Sequence, residues 1–139
     1  MIYVDTNIFI DRGDKSSPNH KSAVLFLDNT INTSEDLATS TETIQELVYF
    51  GQKKKKLSLI LQICDLIICQ LKPLLVVDDV VIGYFLKYAR QYPKSGSRDL
   101  IHLASCSANH INTIITYDRD FLKFKEIHTL TPQEYLNRG

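Results

Sequence analysis

Ile2-Tyr3-Val4-Asp5-Thr6-Asn7, at the head of the chain, sets three apolar residues directly before an acid and a polar turn. A strand this short, apolar at every position, is read as buried on both faces, which is the habit of strands inside a parallel sheet. The same arrangement recurs downstream. Leu37-Ala38-Thr39 precedes a helical stretch carrying Glu46, and Thr113-Ile114-Ile115-Thr116 runs straight into Tyr117-Asp118. Short apolar runs alternate with longer patterns of helical period, the sign of βαβ units. Strands are predicted near residues 2–5, 37–39, 74–77, 113–116 and 128–130, giving an α/β fold with a mostly parallel sheet of about five strands.

Helices fill the intervals. Pro18 stands where a first helical residue is tolerated, and Ala23, Phe26 and Leu27 form an apolar stripe at helical spacing. A second helix is expected over about 41–51, with Gly51 as its stop. A third runs from the cluster Lys53-Lys54-Lys55-Lys56 to about residue 71, ended by Pro73. Asp78-Asp79 opens a fourth, Pro93-Lys94-Ser95-Gly96-Ser97 reads as a loop, and Thr131-Pro132-Gln133-Glu134 is a capping box that starts a closing helix.

The 139 residues fit one domain spanning 1–139, and an apolar share of 44% with 23% charged residues is ordinary for a globular chain. Sixteen basic residues balance 16 acidic ones, which argues against indiscriminate coating of nucleic acid, so any such contact must rest on a local patch. The apolar stretch from Leu57 to Leu71 is broken by Ser58, Gln62, Asp65 and Gln70 and is costly as a membrane span. No basic leader with an apolar segment opens the chain, so cytoplasmic residence is expected. Cys64, Cys69 and Cys106 form no Cys-x-x-Cys pair and are read as small core residues.

The acids carry the chemistry. Open α/β sheets bind ligands outside the carboxyl ends of their strands, and Asp5, Glu46, Asp99 and Asp118 would converge there. Gathered carboxylates repel unless cations hold them, which points to a divalent metal, and metal-held water points to phosphodiester cleavage. Each acid also has a structural reading. Asp5 can cap the turn Thr6-Asn7-Ile8, and Asp99 suits the first turn of a helix, although Ser97 already offers a cap there. Glu42 and Glu46 share one helix face; Thr39-Ser40-Thr41-Glu42 fits a capping box, which leaves Glu46 for the pocket.

Val4-Asp5-Thr6-Asn7-Ile8-Phe9, Thr39-Ser40-Thr41-Glu42-Thr43-Ile44-Gln45-Glu46-Leu47, Asp99-Leu100-Ile101-His102-Leu103-Ala104 and Thr116-Tyr117-Asp118-Arg119-Asp120-Phe121 resemble, in order, the four signature segments of the PIN-domain family, which includes the VapC-type toxin ribonucleases of VapBC toxin–antitoxin pairs. The resemblance covers essentially the whole chain. It implies a three-layer sandwich and a Mg²⁺- or Mn²⁺-dependent endoribonuclease that leaves 5′-phosphate and 3′-hydroxyl ends. It also implies one or two ions on Asp5, Glu46, Asp99 and Asp118, with Asp120 supporting the turn or serving as a further ligand.

No serine, cysteine or histidine stands in a recognisable nucleophile arrangement, so metal-activated water is the expected attacking group. Thr6, Asn7 and Thr116 are suited to orienting a carboxylate, and Arg98 and Arg119, with Lys94, are the cations adjacent to the acids that could hold phosphates. The lysine cluster is read as a solvated face, and His102 as a core or boundary histidine. Expected partners are RNA, a small antitoxin protein and a second copy of the chain, through Tyr49, Phe50, Ile60 and Ile67. The other readings are a non-catalytic PIN module that binds RNA or protein, and a different acid-pocket enzyme. Asp5-Thr6-Asn7-Ile8-Phe9 lacks the second aspartate and the threonine of aspartyl phosphatases, and no phosphate-binding glycine loop is present.

Overall fold

The structure, a computed structural model, describes residues 1–33 and 35–138. Four parallel strands form one sheet in the order β2-β1-β3-β4, from β1 (Ile2–Val4), β2 (Leu37–Ala38), β3 (Thr113–Ile115) and β4 (His128–Leu130). Tyr3 lies opposite Ala38 on one side and Ile114 on the other, so β1 is central and buried as its apolar run demands.

The predicted strand at 74–77 is not a strand. It makes a single parallel bridge, Ser40 with Leu75, closed by Thr41 N to Leu75 O and Leu75 N to Thr39 O, both at 2.9 Å. The reason lies in its neighbour: the chain after β2 turns into helix at Thr41, so no extended backbone remains to pair with, and Pro73 has no amide to donate.

Side-chain alternation along the strands divides the core between two faces. Ile2, Val4 and Ile115 pack with α1 (Thr6–Gly13), α2 (His20–Ile31), α3 (Thr41–Lys53), α4 (Leu57–Gln70) and α7 (Pro132–Leu136). Tyr3, Ala38 and Ile114 pack with α5 (Asp79–Gln91) and α6 (Ser97–Ala108). The result is the three-layer sandwich that the four segments imply.

Several local expectations hold and several change. Asp78 caps α5 by accepting from Val81 N at 3.1 Å, and Thr131 with Glu134 forms the complete capping box of α7. Gly51 does not stop α3. A Cβ there would meet Ile60 Cβ at 3.0 Å and Leu57 Cα at 3.1 Å, so the glycine lets α3 and α4 approach closely. The lysine cluster closes α3 and forms the turn to α4, an end where the helix dipole favours cations. Cys64 and Cys106 are buried as expected, but Cys69 is exposed. Ile60 and Ile67 belong to the core and are not available for contact with a second copy, whereas Tyr49 is exposed. No described helix is long and apolar enough to cross a membrane.

Candidate functional site

β1 and β3 are neighbours and parallel, so the residues that follow them emerge side by side at one edge of the sheet. Asp5 leaves β1 and caps α1, its Oδ1 accepting from Thr6 N at 2.7 Å. Its Oδ2 accepts from Thr116 Oγ1 at 2.7 Å and Asn7 Nδ2 at 3.2 Å. Asn7 Oδ1 in turn accepts from Tyr117 N at 3.2 Å, tying the two strand ends together. Asp5 is almost fully buried, and burial raises its pKa against the lowering effect of His102, Thr116 and Thr6.

Asp118 follows β3 and holds the 3-10 turn Arg119–Lys123, its Oδ1 accepting from Asp120 N at 2.9 Å. The first turn of α6 brings Asp99 to the same place. A carboxylate oxygen from each of Asp99, Asp118 and Asp120 lies within 4.8 Å of the others. Burial, then the negative charges of Asp118 and Asp5, push the Asp99 carboxyl up to about 6. Repulsion of this kind is relieved by a cation, and the donors offered are hard carboxylate oxygens. Phe121 is fully buried beneath the turn, as an anchor should be.

Glu46 and His102 complete the pocket on its other side. His102 Nε2 donates to Glu46 Oε1 at 2.8 Å and stands 3.7 Å from Asp5 Oδ1, while Nδ1 meets the Tyr3 hydroxyl. Burial opposes charge on the imidazole, but the bond to Glu46 and the nearby Asp5 outweigh it and raise the His102 pKa. Glu46 is lowered in return: the His102 bond and charge overcome its burial. The sequence pointed to a core histidine, and His102 is indeed buried, but it is also bonded within the acidic pocket. Its place three residues after Asp99, on the same helix face, was the available signal.

Glu42 does not close a capping box: Ser40 is the N-cap of α3 and makes no side-chain cap bond. Gly96 rather than Ser97 precedes α6. Thr6 Oγ1 is buried with no well-formed hydrogen bond, and its approach to Glu46 helps lower the pKa of that carboxyl. A buried hydroxyl with spare hydrogen-bonding capacity beside converging carboxylates fits a pocket built for a bound group. Of the predicted phosphate-holding cations, Arg98 is exposed, lies over the Tyr49 ring at 5.2 Å and helps lower the Glu46 pKa. Arg119 pairs with Glu134 at 3.6 Å, and Lys94 is exposed on its loop.

The carboxyl edge of this α/β sandwich carries acids from the end of β1, from α3, from α6 and from the turn after β3, a set of hard oxygen donors suited to a cation. The PIN domain profile matches residues 2–127, and the chain belongs to the PIN-domain family. Among curated proteins it is similar to Ribonuclease VapC23 of Mycobacterium tuberculosis, 28% identical over 120 residues that span 85% of this chain and 93% of the relative. Two solved structures share the fold. VapBC2 from Rickettsia felis, bound to a DNA fragment from its promoter, superposes with a TM-score of 0.75 at 20% identity, covering 94% of this chain and 98% of that one. VapC20 of Mycobacterium tuberculosis, described as a Sarcin-Ricin loop cleaving toxin, gives 0.76 at 14% identity, covering 91% and 98%.

Proposed function

We propose that this chain is a divalent-metal-dependent endoribonuclease, the toxin half of a toxin–antitoxin pair, that hydrolyses RNA phosphodiesters with water as nucleophile. The observation that carries the reading is the approach of Asp99, Asp118 and Asp120 to within 4.8 Å beside the buried Asp5. The curated relative is a ribonuclease of VapC type, which supports RNA as the substrate. The oxygen-only donor set suits Mg²⁺ or Mn²⁺ better than Zn²⁺, because both nitrogens of His102 are engaged by Tyr3 and Glu46. A metal ion held there would lower the pKa of a bound water and offset charge on the phosphate.

The chain's own residues divide the remaining work. Thr116 and Asn7 fix the Asp5 carboxylate, and Asp118 and Asp120 are held by the 3-10 turn. Arg98 stands at the rim as the cation best placed to meet a phosphate, since Arg119 is already paired with Glu134. For the antitoxin, an open apolar groove of about 710 Å³ runs between α1, α2 and α4, away from the acids, and exposes Ile31, Leu59 and Leu66. Exposed apolar surface of that kind fits a protein partner.

The reading is tested by incubating purified protein with structured and single-stranded RNAs in Mn²⁺, Mg²⁺ or EDTA. Cleavage with either metal, to products bearing 5′-phosphate and 3′-hydroxyl ends, is expected. Cleavage that persists in EDTA contradicts it.

A further inference from the structure

We propose that His102 is a positioning residue that occupies the place of a second cation between Glu46 and Asp5, so that the acidic pocket holds one divalent ion, on the side of Asp99, Asp118 and Asp120. The inference rests on the metal-dependent reading above.

The geometry is specific. His102 Nε2 lies 2.8 Å from Glu46 Oε1 and 3.7 Å from Asp5 Oδ1, and the ring is fully buried. An ion drawing on both oxygens needs contacts of roughly 2.0–2.6 Å, and the imidazole already fills that space. Three of the roughly four acceptor sites of Asp5 are in use, one on Oδ1 by Thr6 N and two on Oδ2 by Asn7 and Thr116, which leaves one on Oδ1. Asp99, Asp118 and Asp120 bring their oxygens within 4.8 Å of one another without Asp5 or Glu46.

The ring is also held from behind. Its Nδ1 meets the Tyr3 hydroxyl, and Tyr3 OH lies 2.8 Å from Ser40 Oγ. A carboxylate only accepts, so Nε2 carries a proton. With a neutral ring, Ser40 donates to Tyr3 and Tyr3 donates to Nδ1; with a charged ring both bonds reverse. Neither state leaves a polar atom unpaired, so the placement of Glu46 does not depend on the ring's charge. Tyr3 and Ser40 are themselves buried on and beside the central strand, which makes the chain Ser40–Tyr3–His102–Glu46 a rigid strut from the core to the pocket.

Mn²⁺ titration by calorimetry, with near-ultraviolet dichroism as the check on folding, tests this. One ion per chain is expected for the wild-type protein and for His102→Gln, whose amide still donates to Glu46. Two ions are expected for His102→Ala, which frees both carboxylates and opens the space between them. Two ions in the wild-type protein overturn the proposal whether or not the alanine variant folds, and so does a folded alanine variant that still binds one ion with wild-type affinity. No ion in the wild-type protein overturns the metal-dependent reading itself. A second variant, Tyr3→Phe, keeps the ring but removes its support. Its kcat is expected to fall about 10-fold or more with KM and stoichiometry unchanged. An unchanged kcat would reduce Tyr3 to core packing and overturn the strut.

Discussion

Thr116 Oγ1 donates to Asp5 Oδ2 at 2.7 Å across a sequence separation of 111 residues, joining the carboxyl ends of two adjacent parallel strands. The same oxygen accepts from Asn7 Nδ2 and from Asp118 N, each at 3.0 Å. One buried hydroxyl therefore sets the orientation of Asp5 and the start of the turn that carries Asp118 and Asp120. Its full donor and acceptor capacity is used.

Thr116→Val keeps the shape and removes all three bonds. Buried polar partners left unpaired cost about 1–3 kcal/mol, so a loss of that size is expected in urea unfolding. The Asp5 pKa is also expected to rise further, because Thr116 is one of the groups that hold it down. A variant as stable as the wild type would mean that the hydroxyl bonds are not formed in solution.

Asp99 gives a pH dependence. Its folded pKa of about 6 exceeds the ordinary aspartate value of 3.8, so folding disfavours the ionised form. The penalty is present above pH 6 and disappears as pH falls through 6 toward 4. Asp99→Asn should therefore stabilise the metal-free protein at pH 7, by on the order of 1 kcal/mol once solvent screening of this partly exposed group is allowed for, and by nothing near pH 4. Equal stability of variant and wild type at pH 7, measured in EDTA, would show that the acids do not crowd one another.

Metal removal should act in the opposite sense. An ion that binds only the folded chain stabilises it by about 2.7 kcal/mol at 100 times its Kd, which for a chain of this size raises Tm by on the order of 6–10 °C. Differential scanning calorimetry with Mn²⁺ and with EDTA measures the shift. The same scan of Asp99→Asn should show little of it, and a full shift there would place the ion elsewhere.

Much of this was legible in the sequence because it is local. The apolar runs at residues 2–4 and 113–115 are strands, the charges of Asp5 and Asp118 that follow them both act on Asp99, and Thr131 with Glu134 caps α7 as its motif requires. What was not legible depends on tertiary neighbours. The run at 74–77 has strand composition, but the backbone it would pair with becomes α3. Gly51 looks like a helix stop until the approach of Ile60 and Leu57 is known. His102 carries no motif of its own, and its bonds to residues 56 and 99 positions away become visible only in the fold.

Gly51→Ala separates those two readings of the glycine. In an exposed helix interior the change gains up to about 1 kcal/mol of helix propensity, but a Cβ at 3.0 Å from Ile60 Cβ and 3.1 Å from the Leu57 backbone overpacks the α3–α4 contact. Overpacking of about 1–3 kcal/mol outweighs the gain, so a net loss of roughly 1 kcal/mol is expected in denaturant unfolding. A stabilised variant would show that the helices part at no cost.

The proposed nuclease activity depends on a metal ion held by the acids gathered at the sheet edge. Wild-type protein and Asp99→Asn, both folded by near-ultraviolet dichroism, should be compared on the same RNA in Mn²⁺ and by Mn²⁺ calorimetry. Cleavage and saturable binding are expected in the wild type, and the loss of both in the variant. Cleavage by Asp99→Asn at the wild-type rate would contradict that dependence.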